Sequence, residues 1–396
     1  LHRTGAAALL ELCRRNAGVY VKLGQHLAQL DYMIPREYVS TMAALFDDAP
    51  QTEYQHVREV IREELGQYPE EIWARFDPEP IASASLAQVH VAYDNNGRKL
   101  AVKVQHRGLR ETSQGDIDAV TFFVNLIAQI FPDFPFVWLV DEITPNLPKE
   151  LDFNHEGQNA DRCRKMFEDN EFVQVPEVVW GRTAARVLCM TFEEGCRATD
   201  LPALRRASLP LPAVAALVSR AFNHQIFRHG FVHCDPHPAN VLIRPMPGDP
   251  PGQGRPQMVL LDHGLYKEID DDFRFDYCRL WRALVTADIK GIKYHCQKMG
   301  AGPMYTLLAA MLTSRPWDEI IDTDPGSLHA QESEADKAMI QGYAQKYAGE
   351  ISTMLNSVPR QMLLLFKAND CLRHIDRRLG APVNTFLITG ETCIEV

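Results

Sequence analysis

FVHCDPHPANVLI at residues 231–243 and MVLLDHG at residues 258–264 are the most informative stretches of this sequence. Asp235 and Asn240 stand five residues apart on a loop that leads into an apolar strand, and Asp262 follows a second apolar strand. Phosphoryl transfer requires a base for the incoming hydroxyl and oxygen ligands for magnesium. The spacing therefore predicts Asp235 as the base and Asn240 and Asp262 as metal ligands.

Composition restricts the class of protein. Of the 396 residues, 46% are hydrophobic and 23% charged, which is ordinary for a globular enzyme of two compact domains. The formal net charge of -11 provides no basic surface, so nucleic acid is excluded as a main partner. The nine cysteines include no Cys-x-x-Cys pair, and we expect free thiols in a reducing or intracellular setting.

The apolar runs of this sequence predict no membrane span. The longest apolar run, 119–131, contains Asn125 and Gln129 and predicts a buried helix, because a spanning helix needs about 20 apolar residues. The first residue is Leu1, so we expect the sequence to be a fragment whose upstream targeting peptide or anchor would lie outside it.

A β-hairpin is predicted over residues 81–105, with its turn at 94–97. Its first strand opens with ASASLA at 82–87, where an ordinary protein kinase has a glycine-rich phosphate loop, and this segment contains no glycine. The second strand has Lys103 between apolar residues. Lys103 is either an edge charge that faces solvent or a phosphate ligand, and the downstream motif favours the phosphate ligand.

Helical spacing is predicted for 109–131 and 138–170, and the second range contains ELDFNHEGQN at 150–159. Glu156 is the candidate partner of Lys103, because a strand lysine that binds phosphates is commonly held by a helix glutamate. Glu150 and Asp152 stand one to two turns earlier. Acids at this spacing are also typical of a solvated helix face.

The first 78 residues are predicted to be all-helical and include KLGQ at 22–25. A glycine in mid-helix costs about 1 kcal/mol relative to alanine, so Gly24 predicts a close packing contact. Lys22 alone is more typical of a solvated side chain.

Short strands are predicted near 173–175, 178–180 and 186–190, and the last one leads into TFEEG at 191–195. This segment predicts a hinge where adenine would meet backbone groups, with Glu193 among the nucleotide contacts. A helix is predicted over 213–228, a hairpin loop over 244–258, and mostly helix beyond Gly264.

Each catalytic stretch alone is equally compatible with polar turns between buried strands, and the ordered combination with Lys103 and Glu156 favours catalysis. No cysteine or third histidine stands at ligand spacing from His233 and His237, which argues against structural zinc. Cys234 replaces the arginine that normally pairs with a phosphorylated activation loop, and no Ala-Pro-Glu follows. We therefore do not expect activation-loop control or peptide docking.

Taken together, the motifs resemble the aarF-domain-containing kinases, also called the UbiB-type atypical kinase-like family. The resemblance covers nearly the whole chain, and segments 27–35 and 358–379 look most like the mitochondrial branch. It is carried by the following motifs: KLGQ (22–25), ASASLAQVH (82–90), AVK (101–103), ELD with Glu156 and Asn159 (150–159), CDPHPAN (234–240) and DHG (262–264).

The resemblance implies an α+β, two-lobed protein-kinase-like fold with a helical N-terminal extension over the active site. The expected parts are the extension at 1–78, an N-lobe at 79–191 and a mostly helical C-lobe at 192–396. The implied catalytic set is Asp235, Lys103 and Glu156, with Asn240 and Asp262 as metal ligands. The implied nucleotide contacts are Ala82, Ser83, Ala84, Ser85, Lys103 and Glu193. The implied regulatory residues are Lys22, Gly24, Gln25, Glu150 and Asp152, and the resemblance implies that Lys22 and Gln25 meet Glu150 and Asp152.

The implied cofactors are ATP or ADP and Mg²⁺, and the implied setting is mitochondrial coenzyme Q or lipid homeostasis. A lipid or quinone-related small molecule and a membrane surface are the implied partners. Two alternatives stay open. One is a nucleotide-gated lipid-binding or scaffold pseudokinase. The other is a small-molecule kinase of the aminoglycoside or choline type, which shares the Asp-x-x-x-x-Asn loop but does not explain residues 22–25.

Overall fold

The structure is a computed structural model, and it describes residues 2–28, 35–46, 51–130, 144, 147–250, 252, 254–321, 354 and 357–396. Parts of the predicted 138–170 helix and of the 27–35 segment lie outside these residues. The chain forms two compact units. Unit 1 comprises Leu1–Arg162 and Pro176–Glu193, and unit 2 comprises Cys163–Val175 and Glu194–Val396. The three-part division at 78/79 and 191/192 stays a prediction.

Helices and strands occur in separate blocks along the described residues. The α-helices are α1 (His2–Asn16), α2 (Gly18–Ala28), α3 (Arg36–Met42), α4 (Tyr54–Leu65), α5 (Pro69–Ile72), α6 (Leu109–Ile130), α7 (Phe153–Met166), α8 (Leu201–Arg206), α9 (Leu211–Asn223), α10 (Asp271–Val285), α11 (Ile289–Cys296), α12 (Tyr305–Thr313), α13 (Trp317–Ile320), α14 (Arg360–Leu379) and α15 (Thr385–Glu395). The strands are β1 (Arg75–Phe76), β2 (Ala82–Ser83), β3 (Ala87–Tyr93), β4 (Lys99–Gln105), β5 (Val173–Gln174), β6 (Val187–Thr191), β7 (Cys196–Arg197), β8 (Phe231–His233), β9 (Val241–Pro245), β10 (Pro256–Leu260) and β11 (Tyr266–Glu268).

Unit 1 contains an antiparallel sheet in the order β1-β3-β4-β6, with β2 also paired to β3. The predicted β3–β4 hairpin is confirmed. The all-helical prediction for 1–78 is wrong at β1, where Arg75 and Phe76 pair with β3. Two residues are too few to display the period-2 pattern by which a strand is recognised. The strand predicted near 178–180 is a single bridge from Val178 to Met190, followed by a 3₁₀ turn at Trp180–Arg182.

The core of unit 1 lies where α4 covers one face of this sheet. Period-3.6 spacing aligns the apolar residues of α4 on one side of the helix. They pack against alternate residues of β4, which point to one face of the sheet. The packed residues are Val57, Val60, Ile61, Leu100, Val102 and Val104. Because Lys103 lies between two of these strand positions, its side chain points to the opposite face.

The N-terminal helices form a second cluster with its own buried residues, Cys13, Val21, Met42 and Leu45. The predicted helix over 6–30 is broken between α1 and α2, where Ala17 has φ 54° and Gly18 has φ 45°. The predicted close contact at Gly24 is confirmed, because a Cβ there would collide with Leu45 and lie 3.1 Å from the Cys13 sulfur.

Unit 2 contains a mixed sheet in the order β5-β10-β9-β7 and a separate ribbon of β8 with β11. The predicted hairpin of β9 and β10 is confirmed, with Val241 opposite Leu260. Helix α9 continues into a π turn at His224–His229 and stops at Gly230, whose φ of 62° suits a helix end. The strand β11 interrupts the predicted helical region after Gly264, because it completes the ribbon with β8.

Two further sequence-based expectations concern thiols and membrane spans. The nine cysteines all lie within the described residues, and no disulfide joins any two of them. Among the described residues, no helix combines the length and the hydropathy that a bilayer crossing requires.

Candidate active site

In unit 1, Lys103 on β4 forms the predicted ion pair with Glu156 on α7. The Lys103 Nζ lies 2.8 Å from Oε1 and 2.9 Å from Oε2 of Glu156, so the contact is bidentate. The side chains are only 14% and 4% exposed, and the ammonium also lies 5.2 Å from the centroid of the Phe153 ring. Low exposure and two charge-assisted bonds hold the lysine in one position.

The position of Glu156 depends on how α7 begins. Asp152 caps this end, because its Oδ1 accepts the Asn154 N–H at 3.0 Å, while the Phe153 N–H donates to the Ala185 carbonyl at 2.8 Å. Gly157 follows, and a Cβ there would lie 2.9 Å from the Trp180 ring. The glycine therefore admits the indole against the helix.

The KLGQ segment makes one of its expected contacts and one that was not expected. Lys22 Nζ lies 2.7 Å from Glu150 Oε2, with side-chain exposures of 19% and 7%. Gln25 does not meet Asp152. Its amide nitrogen donates to the Leu45 carbonyl at 2.9 Å, and its amide oxygen accepts the Ser85 hydroxyl at 3.2 Å. Asp152 is a helix cap instead.

The alanine-rich segment, residues 82–87, is held by hydrogen bonds at Ala84 and Ser85. Ala82 and Ala84 are exposed, Ser83 is half-buried and Ser85 is buried. The Ala84 carbonyl accepts a bond from His106 Nε2 at 2.8 Å, and the Ala84 N–H donates to the Ala87 carbonyl. The Ser85 hydroxyl is directed to Gln25, so this residue links the segment to α2.

Glu193 ends unit 1 just after β6. Its Oε1 accepts the Thr191 hydroxyl at 3.1 Å, and the adjacent Phe192 ring lies 3.7 Å below the Lys99 ammonium. These contacts order the segment in which an adenine contact is predicted. The nucleotide roles of residues 82–85 and Glu193 stay predictions.

In unit 2, the Asp235 loop runs from β8 to β9. The His237 N–H donates to the Asp235 carbonyl at 2.7 Å, and the Asn240 N–H donates to the His237 carbonyl at 2.8 Å. Two successive turns therefore close the loop. Cys234 is buried, its N–H donating to Leu265 and its thiol to Val232. An arginine at this position would bury a charge, whereas the small thiol fits the buried position without that cost.

His233 joins the loop to the segment that contains Asp262. Its Nδ1 accepts the Asp235 N–H at 3.1 Å, and its Nε2–H donates to the Asp262 carbonyl. Complete burial lowers the pKa of this imidazole and keeps it neutral, which the two bonds also require.

The donor chemistry at Asn240 and Asp262 fits a magnesium ion. The Asn240 amide nitrogen donates to the Asp235 carbonyl at 3.2 Å, so the amide oxygen is the atom that could bind a cation. One Asp262 carboxylate oxygen is oriented by the Gly264 N–H at 3.0 Å. Magnesium binds few protein oxygens and keeps several waters. Within the described ranges, no group of three or more His, Cys, Asp or Glu has metal-binding geometry.

One residue near Asp235 was not anticipated from the sequence. Lys367 on α14 places its Nζ 3.7 Å from Asp235 Oδ1, and the lysine side chain is 15% exposed. Its sequence neighbours show only an amphipathic helix, and no spacing connects it to the Asp235 loop. Only tertiary packing brings the two side chains together.

Comparison with known proteins shows which family this chain resembles. A model described as the ABC1 atypical kinase-like domain matches residues 44–296. An Arabidopsis thaliana ABC1 protein is 44% identical over 403 residues, covering 99% of this chain and 75% of that protein. AarF domain-containing protein kinase 1 of Mus musculus is 43% identical over 396 residues, covering 100% and 74%. The structure of Mycobacterium tuberculosis Rv3197 with erythromycin matches at TM-score 0.57 and 21% identity, covering 94% and 92%, and indicates a shared fold.

These matches confirm the predicted α+β kinase-like fold class and the predicted family. The similarity to the mouse protein extends over the whole chain and therefore includes α1, α2 and α14, which lie outside the matched domain. This chain belongs to the ABC1 atypical kinase-like family.

Proposed function

We propose that this protein is a magnesium-dependent, ATP-binding atypical kinase or ATPase. The observation that carries the proposal is the buried, bidentate pair of Lys103 and Glu156. A lysine held in this manner on a strand is the device by which kinases position nucleotide phosphates. Mere stability would be served as well by two apolar side chains, since a buried ion pair is often no better than its hydrophobic replacement.

The residues of unit 2 supply the chemistry of transfer. Asp235 accepts the proton of the acceptor hydroxyl while the acceptor oxygen bonds to the γ-phosphorus of ATP. The bond from this phosphorus to the β,γ-bridging oxygen breaks, and ADP leaves. In an ATPase, the acceptor is water. Asn240 and Asp262 would hold the magnesium ion, which neutralises charge on the phosphates when bound.

The biological setting is proposed from the family resemblance. The proposed location is mitochondrial, and the proposed role is in coenzyme Q or lipid homeostasis. The protein would associate with a membrane surface through a lipid or quinone-related molecule. The preference between ATP and ADP depends on residues 82–85, where three of the four side chains are small and exposed or half-buried.

Nucleotide binding with and without Mg²⁺ tests the proposal. We expect Mg²⁺ to tighten ATP binding to the wild type, and Asp262→Ala to abolish this dependence. Asp272→Ala, which removes an exposed acid on α10, is the matched control and should behave as wild type. Equal magnesium dependence in the wild type and in Asp262→Ala would refute the metal assignment.

A scaffold function is the alternative, and a specific observation favours it. Lys22 is paired with Glu150, and Gln25 is bonded to Ser85 within the segment assigned to the nucleotide. These contacts hold residues 22–25 in a fixed position. Asp235→Asn separates the two functions, because it removes the base and keeps the shape. If this variant binds ATP and supports function in cells as the wild type does, then the cellular function does not require catalytic turnover.

A further inference from the structure

The catalytic loop of this chain lacks a cation of its own. Residues 231–243 contain no lysine or arginine. The transferred phosphoryl group carries negative charge on its equatorial oxygens, and kinases and ATPases place positive groups against it. A cation near Asp235 must therefore come from another element.

Helix α14 brings such a cation to the loop. Lys367 Nζ lies 3.7 Å from Asp235 Oδ1, and both groups belong to unit 2. The distance is longer than a hydrogen bond, so the ammonium is near the base without being locked to it. Lys367 is mostly buried, whereas surface ion pairs usually involve well-solvated side chains.

The position of the lysine is set by a well-packed helix. Met362, Leu365 and Phe366 precede it and are buried, as is Ile375 further along α14. These anchors leave the long side chain of Lys367 as the flexible part. A lysine Nζ on such a stem moves by a few ångströms at little cost, whereas the helix stays fixed.

A second residue indicates that α14 runs along the loop. His374 stands seven residues after Lys367, which is close to two turns and therefore on the same helix face. Desolvation is the main cause of the lowered pKa of His374, and charge on Arg377, Arg378 and His237 adds to it. The effect of His237 shows that this face lies within electrostatic range of the loop.

We infer that Lys367 is a catalytic residue that binds the phosphoryl group during transfer, an inference that rests on the proposed kinase or ATPase function. The acceptor oxygen must come within about 2.6–3.2 Å of Asp235 to lose its proton. The reacting phosphorus lies about 3–3.5 Å from that oxygen. The Lys367 ammonium lies beside the buried Oδ1 of this carboxylate, and rotation of the long lysine side chain brings it within reach of the phosphoryl oxygens. Without substrate it neutralises Asp235, and with substrate it bridges the base and the phosphoryl group.

Affinity labelling tests the inference on the wild-type chain. A biotinylated acyl phosphate of ATP transfers its acyl group to lysine amines near the terminal phosphate and releases ATP. We expect mass spectrometry to find Mg²⁺-dependent, ATP-protected labelling of Lys103 and Lys367, and none of the exposed control Lys290. Labelling of Lys103 without Lys367 overturns the inference and leaves nucleotide binding intact. Labelling of neither overturns nucleotide binding, and the inference with it.

Substitutions test the role of Lys367 in turnover. We expect Lys367→Met to lower kcat about 10- to 100-fold and to weaken ATP binding, while ADP affinity changes less than about 2-fold, because the contact is with the terminal phosphoryl group. Lys367→Arg retains the charge and should recover part of the rate. Lys290→Met is the matched control. If Lys367→Met has wild-type kcat, or weakens ATP and ADP equally, then Lys367 is a structural partner of the loop and the inference fails.

Discussion

Removal of Lys103 should destabilise unit 1 more than removal of any surface lysine, and the reason lies in Glu156. Lys103→Met leaves a carboxylate that is 4% exposed without its ammonium. Loss of one partner of a buried ion pair costs about 3–5 kcal/mol. A second route gives a similar magnitude, since the two bonds at 2.8 and 2.9 Å are charge-assisted and each contributes about 1.5–3 kcal/mol.

The double variant Lys103→Met/Glu156→Leu separates stability from function. Replacement of both partners by apolar side chains of similar volume is often neutral for stability. We therefore expect the free energy of unfolding to return to within about 1 kcal/mol of the wild-type value. ATP binding, in contrast, should be lost in both the single and the double variant, because both lack the ammonium.

The assay is urea denaturation in which unfolding is monitored by hydrogen exchange of the β3 and β4 amides. These amides report on unit 1 alone. Arg98→Met is the control, because the Arg98–Glu177 pair is about half exposed on each side and should contribute about 0–1 kcal/mol. Wild-type stability of Lys103→Met would refute the argument for a buried, coupled pair. ATP binding by the double variant at wild-type affinity would refute the assignment of Lys103 as a phosphate ligand.

Three other outcomes follow from the packing. Gly24→Val should lower the unfolding free energy by about 1–3 kcal/mol in urea titrations, because the new side chain collides with Leu45, and an equally stable variant would contradict this. His90 should make stability fall below about pH 6.5, by up to about 1.4 kcal/mol per pH unit, because burial lowers its folded pKa and the unfolded chain then binds more protons. His90→Leu should flatten this part of the pH profile, and an unchanged slope would assign the effect to other groups. Cys163, whose pKa burial raises to about 12, should react with iodoacetamide in the native protein more slowly than the half-buried Cys371, and equal rates measured by mass spectrometry would contradict its burial.

The tautomer of His90 strengthens the pH prediction. The Gln88 side chain is oriented by Thr52, because its Oε1 accepts the Thr52 N–H and its Nε2 donates to the Thr52 carbonyl. The same Gln88 nitrogen therefore donates to His90 Nε2 at 2.9 Å, and His90 Nδ1–H donates to the Asp77 carbonyl. A protonated imidazole would turn an N–H toward another N–H. Folding thus selects the neutral form.

Several features follow from residue order alone. The β3–β4 hairpin was predicted because a strong turn separates two runs with the residue preferences of strands. The helix predicted over 213–228 ends close to its predicted bound, at Gly230, because glycine accepts a positive φ. The pairing of Lys103 with Glu156 followed from a motif in which charge, strand and helix occur in a set order. Local chemistry specifies the hairpin turn and the helix end. The Lys103–Glu156 pair joins residues 53 positions apart, and it was predicted because kinases share the same order of motifs.

Other features depend on packing between distant segments. No sequence pattern marks the break at Ala17 or the two-residue strand β1. Both depend on packing against residues that are distant in the sequence. The position of Gln25 in its motif does not show whether its side chain contacts Asp152 or Ser85. In the structure, the side chain accepts a hydrogen bond from Ser85. Lys367 is the clearest case. In the sequence it is one lysine on an amphipathic helix, and it lies beside Asp235 only because the buried residues of α14 dock the helix there. The motifs in the sequence identify the candidate catalytic residues. Side-chain packing determines which charged residue from a distant segment lies beside them.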